Sequence, residues 1–107
     1  MMPLHHVGGI VRNLFAPVIA GGLVVCVEGA FDPDTFWNVV PLYGVTWYYA
    51  SPTMHHSILQ AGDARLEARD LRLVANAAGG LLPSLAERLA VAFRGAILPS
   101  YGMTECA

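Results

Sequence analysis

Val45-Thr46-Trp47-Tyr48-Tyr49-Ala50-Ser51-Pro52-Thr53-Met54 sets a short β-branched and aromatic run directly before a serine and a proline. Val45 to Ala50 reads as a strand, because branched and aromatic side chains fit a pleated, half-buried surface. Ser51-Pro52 then starts a helix through Met54, Ile58 and Leu59: the hydroxyl caps an orphan N–H, and proline at the first helical position gives up no needed donor. The same start occurs upstream at Asp32-Pro33, where Phe36, Val39, Val40 and Tyr43 form one helical face and Gly44 closes it. Downstream, Leu71 to Asn76 reads as a further strand, followed by the small-residue turn Ala77-Ala78-Gly79-Gly80. Pro83 opens an amphipathic helix with Leu82, Leu85, Ala86, Leu89, Ala92 and Phe93 on its stripe; Gly95 ends it and Ala96 to Ser100 forms another strand. Strands alternating with helices through short connections imply an α/β fold, a mostly parallel sheet with flanking helices.

The first thirty residues extend the pattern. Val7, Ile10, Val11, Leu14, Phe15 and Val18 recur at three- and four-residue spacing and predict a largely buried helix, kinked at Pro17 and ended by Gly21-Gly22. Leu23 to Val27 is a continuous apolar run, as expected of a strand covered on both faces, with Cys26 as a small core residue. Gly62 to Asp70 is the most polar segment and reads as a solvated loop or surface helix. Trp37, Trp47, Tyr48 and Tyr49 are expected to fill the core.

Composition narrows the function. Of 107 residues, 55% are apolar and 13% charged, too little charge for a small self-sufficient domain, so some apolar faces should meet other protein. A net charge of −2 without a basic cluster argues against nucleic-acid binding. Two cysteines, Cys26 and Cys106, make no disulfide framework and fit a reducing, cytoplasmic setting. Pro17 and Gly21-Gly22 interrupt one uncharged stretch and Pro41, Gly44 and Pro52 another, below the ~20 continuous apolar residues of a transmembrane span. No basic segment precedes an apolar core at the start, which argues against a signal peptide. Neither G-x-G-x-x-G nor the Walker pattern is present, and the chain has no lysine.

The sharpest chemistry is Tyr101-Gly102-Met103-Thr104-Glu105. An aromatic face can stack on a purine, a hydroxyl can donate to a phosphate, and a carboxylate can hold Mg²⁺. In open parallel sheets ligands sit beyond the carboxyl ends of the strands, where both this segment and the Ala77–Gly80 turn fall. The turn lacks side-chain bulk, so its backbone can approach a flat ligand; equally, it can be an ordinary strand-to-helix turn. His5-His6 and His55-His56 are poor chelators, since adjacent side chains diverge on strand and helix alike. Lining a pocket or satisfying a hydrogen bond suits these histidines better than binding zinc.

Four segments together resemble the adenylate-forming enzymes, comprising acyl-CoA synthetases, luciferases and peptide-synthetase adenylation domains. Pro3-Leu4-His5-His6-Val7-Gly8-Gly9 resembles the family's Pro-Leu-aromatic-His-x-x-Gly segment. Thr46 to Met54 resembles its strand leading into a Val-Pro-Thr/Ser turn. Leu71 to Leu82 resembles its adenine turn, and Tyr101 to Glu105 matches its YGxTE motif. Phe31 to Ile58 looks like the branch containing oxalate–CoA ligases. The resemblance implies part of the large N-terminal domain of such an enzyme, residues 1–107 being a partial AMP-binding domain and no complete one. It implies ATP and Mg²⁺, with CoA or a carrier phosphopantetheine as thiol acceptor. It also implies roles: Tyr101 stacking on adenine, Gly102 lining the nucleotide site, Thr104 at the α-phosphate and Glu105 on Mg²⁺. Ala78, Gly79 and Gly80 would meet adenine or the acyl group through backbone, with His6 and Gly80 bordering the acyl pocket. Asn76-Ala77, Gly80 and Ser100 depart from the common pattern, which bears on acyl specificity more than on nucleotide binding.

The family's lysine-bearing phosphate loop, ribose-binding aspartate and catalytic lysine have no counterpart among these residues. The chain therefore reads as an internal piece of an ATP-dependent carboxylate-activating enzyme, inactive alone and missing the remainder of its domain. A non-catalytic nucleotide-binding or interaction module and a degenerate remnant are the alternatives.

Overall fold

The computed structural model describes residues 1–62 and 71–106, so the expectation for the polar segment falls mostly outside the described residues. Three parallel strands, β1 (Trp47–Ala50), β2 (Leu73–Asn76) and β3 (Ala96–Leu98), lie in the order β1-β2-β3. Trp47 pairs with Leu73 and Ala50 with Asn76, while Leu73 pairs with Ala96 and Ala75 with Leu98. The strands are joined by α3 (Pro52–Gly62) and α4 (Pro83–Ala92), and α2 (Pro33–Leu42) precedes β1. Both crossovers advance in one direction, so right-handed connection sets α3 and α4 on the same face. The α/β expectation holds.

Local chemistry explains the helix ends. Asp32 Oδ2 accepts from the Thr35 N–H at 2.7 Å and the Thr35 hydroxyl at 2.6 Å, capping α2. At its other end Gly44 takes φ +60°, and the Val45 N–H returns to the Val40 carbonyl at 2.9 Å. The Ser51 hydroxyl accepts from the Met54 N–H at a longer 3.4 Å.

One face of the sheet carries the core. Tyr48, Ala50 and Val74 point into it against Phe36, Ile58 and Phe93. Trp37 ties α2 to α3 by donating from Nε1 to the Ile58 carbonyl at 2.8 Å, and its ring stacks on Phe93 with centroids 5.8 Å apart. Strand alternation sends Trp47 and Tyr49 to the opposite face, where they are only half-buried. Core filling is therefore right for Trp37 and Tyr48, and not for the other two aromatics.

The N-terminal third departs furthest from expectation. Gly8–Phe15 is a π-helix, with the Ala16 N–H bonding the Val11 carbonyl, and it runs into the short α1 (Ala16–Ile19). The wider turn ends two residues before Pro17, where a proline ring would crowd the carbonyl of an α-helical turn. Gly8, Gly9 and Pro17 are buried, but Val11, Phe15, Val18 and Ile19 are exposed. Leu23 to Val27 forms no strand, Leu23 is 96% exposed, and Cys26 is exposed instead of lying in a core. An apolar run becomes a strand only where an edge accepts its backbone, and none of the described strands does.

Gly95 sits where α4 turns into β3, with its Cα against the backbone of Leu71 and Arg72. A Cβ there would overlap the Leu71 carbonyl oxygen. Gly95→Ala should cost more than about 2 kcal/mol of stability, since rigid backbone cannot yield. Gly80→Ala, with nothing within 4 Å, should change stability by less than about 1 kcal/mol. Urea unfolding of the two variants checks both.

Candidate functional site

Asn76 is the last residue of β2 and is 1% exposed. Its Nδ2 donates to the Gly79 carbonyl at 2.6 Å, while the Gly79 N–H bonds the Ala77 carbonyl at 2.8 Å. These two bonds curl the chain into a three-residue turn and force Ala78 to φ +60°. An alanine in the left-handed region costs about 1–2 kcal/mol, so the closing bonds must outweigh that. The turn rests on α3: a Cβ on Gly79 would lie 3.5 Å from the Pro52 ring. Ala78, Gly79 and Gly80 are exposed, presenting backbone to solvent with little side chain.

The main-chain carbonyl of Asn76 accepts a short hydrogen bond from the Ser100 hydroxyl. That bond brings the start of the Tyr101–Glu105 segment to the turn, across the carboxyl ends of β2 and β3. Tyr101 is 87% exposed, its ring uncommitted to the core. Thr104 and Glu105 are exposed on one 3₁₀ turn, Thr104–Cys106, so hydroxyl and carboxylate lie on adjacent residues. Gly102 has open space around it.

His6 stands elsewhere, on the β1 side of the sheet. Its Nδ1 accepts from the Gly8 N–H at 3.0 Å, and Gly8 abuts the Tyr49 ring. The structure thus joins the turn to the tyrosine segment and holds His6 apart from them, two strands from β3.

Below the strand ends lies a buried pair. Tyr48 Oη and His55 Nδ1 are 3.0 Å apart, and His55 is fully buried. Burial lowers the His55 pKa to about 4, with the Ala50 and Ala75 carbonyl groups pulling weakly the other way. Burial pushes the Tyr48 phenol upward. With a neutral imidazole and a protonated phenol, the tautomer of His55 sets which of the two donates in this bond. Neither His55 Nε2 nor Asn76 Oδ1 has a hydrogen-bond partner among the described residues. His56 is exposed, near Arg88 at 3.4 Å, so the adjacent histidines diverge.

Sequence reasoning missed the anchoring roles of Asn76 and Ser100. One signal was available: asparagine immediately before a small-residue turn commonly bonds backbone a few residues on.

A family model described as AMP-binding enzyme matches residues 1–107. The chain is 36% identical over 108 residues to an oxalate–CoA ligase of Arabidopsis thaliana, covering 98% of this chain and 21% of that protein. Among solved structures it resembles apo MatB from Rhodopseudomonas palustris, with a TM-score of 0.84 and 25% identity over 97% of this chain and 20% of that one. It also resembles the O-succinylbenzoate coenzyme A synthetase MenE of Bacillus subtilis in complex with AMP, with a TM-score of 0.76 and 30% identity over 97% of this chain and 25% of that one. The chain thus spans about a fifth of the length of the oxalate–CoA ligase it matches.

The buried imidazole has a consequence for pH. Below the ordinary histidine pKa of 6.5 the unfolded chain takes up a proton that folded His55 refuses until about pH 4. The contribution of His55 to stability is therefore full above pH 6.5 and falls between pH 6.5 and 4, by at most about 3 kcal/mol. Urea unfolding at stepped pH should show this fall, and His55→Gln should flatten that part of it.

Proposed function

The chain belongs to the AMP-binding enzyme family, and from that membership we propose that it supplies one half of the nucleotide site of an ATP-dependent carboxylate–thiol ligase. The observation that carries this reading is the Ser100–Asn76 hydrogen bond, which ties the residue before the exposed Tyr101 to the residue before the Ala77–Gly80 turn. Adenine would lie between the Tyr101 face and the backbone of that turn, with Gly102 leaving room for the ribose side. The AMP bound to the Bacillus subtilis relative, and the CoA-ligase activity named for the Arabidopsis one, support it.

Thr104 would donate its hydroxyl to the α-phosphate, and Glu105 would supply a carboxylate oxygen to Mg²⁺. The donor set fits that ion: magnesium usually takes one or two carboxylates and completes its shell with phosphates and water. An exposed glutamate beside a hydroxyl meets that need, whereas groups of three or more ligating side chains are absent among the described residues. Bound there, the ion would neutralise phosphate charge as the carboxylate attacks. In that attack the substrate carboxylate oxygen bonds to the α-phosphorus as pyrophosphate leaves. A thiol of CoA or of carrier phosphopantetheine then displaces AMP. His6 and Gly80 would border the acyl group, on the β1 and β2 sides of the sheet. An exposed, unpaired Cys26 accords with a reducing cytoplasmic setting.

Residues 1–107 form a partial domain in this reading, and they hold the adenine and metal side of the site without a lysine to meet the phosphates. Catalysis by positioning and charge neutralisation needs both sides. Stacking on Tyr101 is worth ~1–3 kcal/mol by analogy with base–aromatic stacking. A Kd of 1 mM already requires about −4.1 kcal/mol.

The purified chain should therefore show no carboxylate-dependent ATP–pyrophosphate exchange; clear turnover would overturn the partial-domain reading. ATP should perturb the NMR signals of Tyr101 and Gly79 at millimolar concentration. Tyr101→Ala should weaken that response by roughly five- to a hundredfold. An unchanged ATP response in Tyr101→Ala would remove the stacking role.

A further inference from the structure

Three side chains that carry hydrogen-bond donors stand on the β1 side of the sheet: His6 and Tyr49 beside Gly8, and Arg12 over the Tyr49 ring. Because His6 Nδ1 accepts from the Gly8 N–H, the imidazole's own proton rests on Nε2, directed away from the backbone. A Cβ on Gly8 would lie 3.3 Å from His6 Nδ1, 3.2 Å from Tyr49 Cε1 and 3.6 Å from Tyr49 Oη. The imidazole and the phenol thus flank a single Cα. Four residues along the same π-helix, the Arg12 guanidinium lies over the Tyr49 ring, 5.9 Å from its centroid. Arg12 is exposed and makes no ion pair among the described residues, and Tyr49 Oη has no hydrogen-bond partner among them.

We propose that His6, Tyr49 and Arg12 form an anion-recognising edge of the acyl pocket, selecting an acid that carries a second anionic group, as a dicarboxylate does. The inference rests on the carboxylate-activating reading above and narrows its substrate class. The cluster offers an imidazole N–H, a phenol O–H and a guanidinium, and no carboxylate among the described residues pairs with that guanidinium. An acid with one carboxylate can answer the guanidinium or the imidazole and phenol but not both, and once that group is committed to the α-phosphorus nothing is left for Arg12. A second carboxylate, or a sulfonate, on the same small molecule would meet the guanidinium fork in its preferred two-point geometry. An apolar acyl chain there would strip water from Arg12 without replacing it, so the arginine also rejects fatty acids. Contact with the Tyr49 ring restrains the guanidinium before any ligand arrives, lowering the ordering cost of binding.

The test is an NMR titration of the chain at fixed ionic strength with oxalate, malonate and sulfoacetate, against acetate and butyrate. The signals followed are the Gly8 and Tyr49 amides and Arg12 Nε–H. The doubly anionic acids should saturate at about tenfold lower concentration than acetate, the scale of one charge-assisted contact. Arg12→Gln should bring them level with acetate, while Arg12→Lys should keep part of the preference. Equal response to all acids, no response to the dianions, or a preference surviving Arg12→Gln would overturn the proposal. The ATP titration of Tyr101 is read separately. Loss of the ATP response with the dianion preference intact would count against the nucleotide reading and not against this edge.

Discussion

The geometry at the carboxyl end of the sheet depends on one residue used three ways. The backbone of Asn76 holds the last rung of β2, in register with Ala50. Its side-chain amide closes the turn through Gly79, and its carbonyl receives the Ser100 hydroxyl. Each bond alone is worth about 1 kcal/mol net, but leaving the buried Asn76 groups unmet costs more. That asymmetry makes the turn and the tyrosine segment a unit. It also explains how Ala78 is held at φ +60° without a glycine. A side chain that bonds forward into its own turn supplies the restraint that glycine would have made unnecessary.

The parts of the fold that could be read from residues alone are those where local chemistry and tertiary packing agree. Asp32-Pro33, Gly44 and the Trp47–Ala50 run each carry their own cap, stop or pleat preference, and each element stands where those cues put it. Leu23 to Val27 carries only apolarity, which says that burial is favourable without naming a partner. A helix satisfies its backbone internally, but a strand borrows its hydrogen bonds from a neighbour. Here neither outer strand, β1 or β3, pairs with it, and the run stays largely exposed. The same reasoning covers Gly8–Phe15: three-to-four spacing marks a helix but does not distinguish an α from a π turn ahead of Pro17.

The candidate site divides along the same line. Tyr101, Thr104, Glu105 and the Ala78–Gly80 backbone were legible because their chemistry is in the residue types and their order. Asn76 and Ser100 were legible only as departures from a pattern, since an anchoring hydrogen bond is a relation between positions 24 residues apart. Burial has a comparable effect on His55. Two adjacent histidines look alike in a sequence, yet one is sealed beneath the strand ends against Tyr48 and the other is exposed beside Arg88.

The two faces of the sheet explain why the chain keeps so much apolar surface. Parallel strands with crossover helices on one side are ordinarily covered on the other as well. Here Tyr48 and Val74 are sealed on the helical face, while Trp47, Tyr49 and Leu73 on the opposite face are only half-buried. The π-helix meets that second face at Gly8 against Tyr49, where the phenol, His6 and Arg12 gather. The polar edge thus borders the less covered side of the sheet, and the Ala77–Gly80 turn stands at its carboxyl end. An acid held by Arg12 and a nucleotide held by Tyr101 would therefore approach one another across the ends of β1 and β2. Those are the two strands whose last residues, Ala50 and Asn76, are paired in register and buried, so the floor between the two ligands would be packed backbone.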